Sequence, residues 1–65
     1  MDILIGDQAK EVLKRKKIPD NTSGIFFENN EYCWWFSSNG DFDSGDTETF
    51  ENSFKIIKNL TSRKK

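Results

Sequence analysis

Gly24-Ile25-Phe26-Phe27-Glu28-Asn29-Asn30-Glu31-Tyr32-Cys33-Trp34-Trp35-Phe36-Ser37-Ser38-Asn39-Gly40-Asp41-Phe42-Asp43-Ser44 is the stretch that decides the fold. Strand-favouring residues fill 24–28 and 31–37, and Asn29-Asn30 separates them. Asparagine tolerates positive φ, so this pair predicts a two-residue hairpin turn. Asn39-Gly40 is the stronger turn signal and predicts a second hairpin into a strand at 41–44. Two turns of fixed length also fix the register. Phe27 should pair with Tyr32, Ile25 with Trp34, Ser37 with Phe42, and Trp35 with Ser44.

That register sorts the side chains into two faces. Ile25, Phe27, Tyr32, Trp34 and Phe36 share one, with Asp41 and Asp43 on its third strand. Phe26, Cys33, Trp35 and Phe42 share the other with several serines. Both faces are aromatic, unlike a sheet with one wet side. Either two helices cover different faces, or another chain covers one of them.

Working outward, residues 7–17 predict a helix. Asp7 follows Gly6 and can cap the first turn, and Ala9, Val12 and Leu13 recur at helical spacing. Lys14, Arg15, Lys16 and Lys17 crowd its end, where they complement the helix dipole. Pro19 stops it, and Asp20–Gly24 is turn-forming. Ile3-Leu4-Ile5 fits a short strand or an early helical turn, and the pattern does not choose. On the other side, Gly45-Asp46 should end the third strand. Thr47 or Thr49 then caps a helix over 48–60, whose apolar stripe is Phe50, Phe54, Ile57 and Leu60. Residues 61–65 should fray. The expected fold is one α+β domain, a three-stranded antiparallel meander flanked by an N-terminal and a C-terminal helix (α-β-β-β-α).

Charge is sorted along the chain. Residues 24–53 hold Glu28, Glu31, Asp41, Asp43, Asp46, Glu48 and Glu51, with no Lys or Arg, and eight of the nine aromatic residues. All 10 basic residues lie outside this stretch, so the net charge of −1 averages two opposed regions. A domain of 65 residues is near the lower limit for a core that holds unaided. The single Cys33 excludes an internal disulfide, which leaves dense aromatic packing or a partner subunit.

These features point away from catalysis. Without histidine there is no Ser-His-Asp or Cys-His arrangement, and Cys33 reads as a small core residue. Gly40 and Gly45 are isolated turn glycines rather than a phosphate loop. The run Asn39–Glu48 resembles the first half of a calcium loop, but position 6 is Ser44 and position 12 is Phe50. We therefore expect no enzyme, no metal and no cofactor. No apolar run is long enough to cross a bilayer, and no export signal is seen, so a cytoplasmic protein is expected.

At pattern level, a three-stranded sheet with an Asn-Gly-type turn followed by a helix resembles the arm-binding domain of tyrosine integrases. The segment Tyr32-Cys-Trp34-Trp-Phe36…Asn39-Gly40…Phe50-Glu-Asn52 is also similar to small bacterial and archaeal duplicated domains of unknown function. Both resemblances cover residues 24–60. The integrase sheets enter DNA with basic strand residues, whereas this sheet carries acids, so that function does not transfer.

The expected function is non-catalytic binding of a protein with a basic surface. Tyr32, Trp34, Trp35, Asp41, Asp43 and Asp46 are the candidate contacts: aromatics anchor interfaces and carboxylates steer a basic partner. A small phage or mobile-element inhibitor that imitates nucleic acid is the sharper form, and the Lys-, Asn-, Ile- and Phe-rich composition suits an AT-rich genome. The alternative is a nucleic-acid-binding module using Lys14, Arg15, Lys16 and Lys17, with a homodimer to double the patch.

Overall fold

The computed structural model describes residues 2–15 and 17–63. The chain runs β1 (Asp2–Ile5), α1 (Asp7–Arg15), β2 (Thr22–Glu28), β3 (Glu31–Ser38), β4 (Asp41–Thr47) and α2 (Phe50–Arg63). The strands form one four-stranded sheet in the order β1-β2-β3-β4. β2, β3 and β4 are the antiparallel meander; β1 joins it parallel to β2.

Both hairpins form as expected. Asn29 and Asn30 have φ of 54° and 62°, and Asn39 and Gly40 have φ of 53° and 82°, the paired positive values of a type I′ turn. With both turns set, all four expected pairs occur: Phe27 with Tyr32, Ile25 with Trp34, Ser37 with Phe42, and Trp35 with Ser44.

The sheet is not purely antiparallel, and the chain does not begin with a helix. Ile3-Leu4-Ile5 is a strand, and its alternation explains why. Leu4 packs with the cluster under α1, while Ile3 packs with the cluster under α2. A helical turn would put neighbouring apolar residues on one side, whereas a strand delivers them to both layers. Gly6, with φ of 80°, turns the chain into α1, and its N–H donates to the Ile25 carbonyl at 2.8 Å.

Several element ends also differ from expectation. α1 closes at Arg15; Lys17 is outside it, and Lys16 is not among the described residues. β2 starts at Thr22, β3 ends at Ser38, and β4 continues through Gly45 and Asp46 to Thr47. Gly45 is not a terminator. It faces Trp34 across the ladder, and a Cβ there would lie 3.1 Å from the indole. α2 begins at Phe50 rather than 48, because Thr49 is its cap: the Asn52 N–H donates to Thr49 Oγ1 at 3.2 Å. α2 also runs on to Arg63, so 61–63 are helical rather than frayed, while 64–65 lie outside the described residues.

Two small cores result, one on each side of the sheet. Under α1 lie Ala9, Phe26 and Trp35, with Leu4, Val12, Leu13, Ile18 and Cys33 against them. Under α2 lie Ile25, Phe36 and Ile57, with Ile3, Tyr32, Trp34, Phe54 and Leu60. The two aromatic faces are thus covered by two different helices.

Candidate binding surface

The six residues expected to form a site do not share one surface. Trp35 is fully buried, and its indole Nε1 donates to the Ala9 carbonyl of α1 at 3.1 Å. Trp34 is half-buried on the opposite face, in the cluster under α2. Tyr32 is half-buried beside it, its ring 4.8 Å from Phe27 and 6.1 Å from Phe50. These aromatics mainly hold helices to the sheet, and Trp35 offers no surface at all.

Asp41, Asp43 and Asp46 are exposed, and all three stand on β4, an edge strand of the sheet. Asp41 and Asp43 lie across from Ser38 and Phe36, on the α2 side; Asp46 lies across from Cys33, on the α1 side. An extended strand therefore splits these carboxylates between faces, unlike a calcium loop, which folds them round one point. No cluster of three or more His, Cys, Asp or Glu that could hold a metal occurs among the described residues.

Helix coverage decides what else is open on β4. α2 packs on β3, β2 and β4, whereas α1 packs on β2 and β1 and meets β3 through the side chains of Trp35 and Cys33. α1 has only nine residues. The α1 side of β4 is therefore left bare, and Phe42 on it is 47% exposed, with Ser44 and Asp46 exposed on the same side. Phe42 is the surface residue that sequence reasoning passed over. Its signal is positional: it sits on an edge strand, one strand beyond the reach of a short helix.

At the β2–β3 turn end, acids crowd together. Asp46, and less strongly Glu48, hold the Glu31 carboxyl above its ordinary range by repulsion between like charges. The Cys33 thiol is also pushed up, first by burial and then by Asp46, Glu28 and Glu31. Glu28 is partly neutralised by Lys10, at 3.5 Å. Beside this end, on the α2 side, Phe27 is 55% exposed and Phe50 38% exposed.

The alternative basic group is dispersed along the end of α1. Lys14 and Arg15 are exposed in its last turn, Lys17 is exposed just beyond, and Lys16 lies outside the described residues. Arg15 Nη2 is 3.3 Å from Glu11 Oε2, so one of these cations already has a partner.

Fold and surface together define a small α+β protein with a four-stranded mixed sheet, a helix on each face and an acidic edge strand. No protein-family model, curated protein or solved structure matches the chain. No described helix is long and apolar enough to cross a membrane.

Proposed function

We propose that this chain is a non-catalytic protein-binding module that presents β4 to an extended, basic segment of a partner. The observation that carries the reading is the edge itself. Asp41-Phe42-Asp43-Ser44 is exposed throughout, and Asp46 and Phe42 stand on a face that no helix covers. A partner strand laid along β4 gains main-chain hydrogen bonds from the free side of the ladder, and its alternate side chains meet different faces. Lys or Arg on one side would meet Asp41 and Asp43, and on the other Asp46. Phe42 is the anchor, since a large apolar ring on an otherwise polar edge loses water on contact. The carboxylates contribute register and association rate more than affinity. A phage or mobile-element inhibitor that occupies a basic groove is the sharper form of the same reading.

The test is titration with an extended peptide of alternating Lys and Val, read by calorimetry at low and moderate salt. Phe42→Ala and Asp46→Lys should each weaken binding by about tenfold, a change of about 1.4 kcal/mol. Lys14→Ala with Lys17→Ala should leave it unchanged. Binding that is indifferent to both β4 variants rejects the reading.

A second reading, nucleic-acid binding, draws on where the helices end. Both run from the β2–β3 turn end of the sheet towards the opposite end, so Lys14 and Lys17 approach the end where Lys58, Thr61 and Ser62 gather around Ile3. Tight binding of a labelled duplex that falls steeply with salt and is lost on Lys14→Ala with Lys17→Ala would favour it.

A further inference from the structure

The sheet has two edges, and they are chemically opposite. β4 carries Asp41, Asp43 and Asp46, so two copies brought together along it would oppose like charges, the usual guard against edge pairing. β1 begins with one acid, Asp2, and its remaining residues Ile3-Leu4-Ile5 are uncharged and apolar; in a pair centred on Leu4, position 2 falls opposite Gly6 rather than opposite a second Asp2. Ile5 is 51% exposed, although the strand is part of the sheet.

We propose that β1 is the self-association edge, where two copies of this chain join antiparallel into one continuous eight-stranded sheet. The main-chain geometry suits it. The Gly6 N–H turns inward to Ile25, so the groups of Leu4 also turn inward, and those of Ile3 and Ile5 turn outward. In an antiparallel pair centred on Leu4, Ile3 of one copy faces Ile5 of the other, and both exchanges are of the closely bonded kind. Leu4 meets its own copy on the axis.

The flanking surface has room for this and matches itself in charge. On the α1 side an open hollow of about 490 Å³ runs beside β1, lined by Leu4, Asp7, Gln8, Glu11, Val12 and Arg15. Val12 and Leu4 form its apolar floor. The row Asp7, Glu11, Arg15 is acidic at the start of α1 and basic at its end. A two-fold axis through Leu4 sets the two α1 helices antiparallel, so Asp7 of each copy faces the Arg15 end of the other. Identical helices laid parallel would instead set acid against acid. The charge order thus selects a second copy in the orientation that the strand geometry requires. Small size supplies the driving force, because a 65-residue chain with two thin cores has apolar surface left to bury.

Light scattering after size exclusion, over micromolar to millimolar concentration, tests the proposal. The expected result is a species of twice the 7.6 kDa chain mass that dissociates on dilution. Ile5→Pro removes an outward N–H while leaving the β1–β2 bonds intact, and it should return the mass to that of one chain. Ile5→Lys should do the same through charge on the edge, and it decides the matter if the proline variant fails to fold by circular dichroism. Phe42→Ala, on the far edge, should leave the dimer unchanged. A single-chain mass at every concentration overturns the proposal. So does a dimer that survives both folded Ile5 variants, or one that Phe42→Ala abolishes.

Discussion

Gly24 lies directly across the ladder from Trp35, and a methyl group at Gly24 would sit 2.5 Å from the indole Cε2 and Nε1. Trp34 has the same relationship with Gly45, at the looser distance of 3.1 Å. The tandem tryptophans thus point to opposite faces, each into the space that a missing side chain leaves. On the Trp35 side, that space lets the indole reach α1 and bond to Ala9.

Gly24→Ala should therefore be among the most damaging single substitutions in the chain. The new Cβ would also meet Ala9 Cβ at 2.7 Å, so neither neighbour can withdraw without moving α1. Overpacking of a filled core costs about 1–3 kcal/mol, and this site belongs at the upper end. Gly45→Ala should cost clearly less, because the site is only half-buried. Trp35→Phe in the Gly24→Ala background should recover part of the loss, a coupling that urea denaturation of the single and double variants would measure. Strict additivity would mean that the two residues do not compete for the same space.

The start of α2 rests on a small polar cluster. Thr49 caps the helix, and buried Ser53 shares a hydrogen bond of 2.6 Å with Thr47 and donates to the Tyr32 carbonyl at 3.3 Å. Thr49→Ala should lower stability by about 1 kcal/mol, and Thr49→Asp should restore it, since Asp also caps. A thermal melt by circular dichroism would show the ordering. If the Ala and Asp variants melt together, the cap contributes nothing.

Glu31 gives a pH dependence with a definite sign. Its folded pKa is raised above the ordinary 4.5 by Asp46 first, so the folded chain holds that proton more tightly than the unfolded chain. The stability linked to it is greatest below the ordinary value and declines as pH rises through the raised folded value. Glu31→Gln should therefore be more stable than the parent at neutral pH and should lose this part of the slope. Chemical denaturation from mildly acid to neutral pH reads it, and a parent more stable than Glu31→Gln at pH 7 would contradict it. Added salt should narrow the gap by screening the acids.

Cys33 should react slowly with a neutral alkylating reagent, because burial and the surrounding carboxylates both disfavour the thiolate. Asp46→Asn should speed labelling at pH 8, read by mass spectrometry against time. An unchanged rate would leave burial as the whole cause.

The hairpins were legible because their information is local. Asn29-Asn30 and Asn39-Gly40 each specify a two-residue turn, and a turn of fixed length sets every pair beyond it. The basic end of α1 and the apolar stripe of α2 were equally plain. The role of Ile3-Leu4-Ile5 was not, because a parallel pair is made across a helix and leaves no turn signature between the strands. Gly45 misled for a related reason: glycine as a strand end and glycine as room for an opposing ring look identical in one dimension.

The meander, its register, the two aromatic faces and the separation of acids from bases are all written into the local order of residues. Each follows from neighbours within a few residues, where backbone sterics and period-two alternation leave little choice. The assembled fold alone put β1 on the sheet, Trp35 in the core and Phe42 on the surface, and set Asp41, Asp43 and Asp46 on one edge and Ile3-Leu4-Ile5 on the other. Those outcomes depend on how far a nine-residue helix reaches across four strands. That is a question of packing between distant segments, which alternation along the chain does not encode.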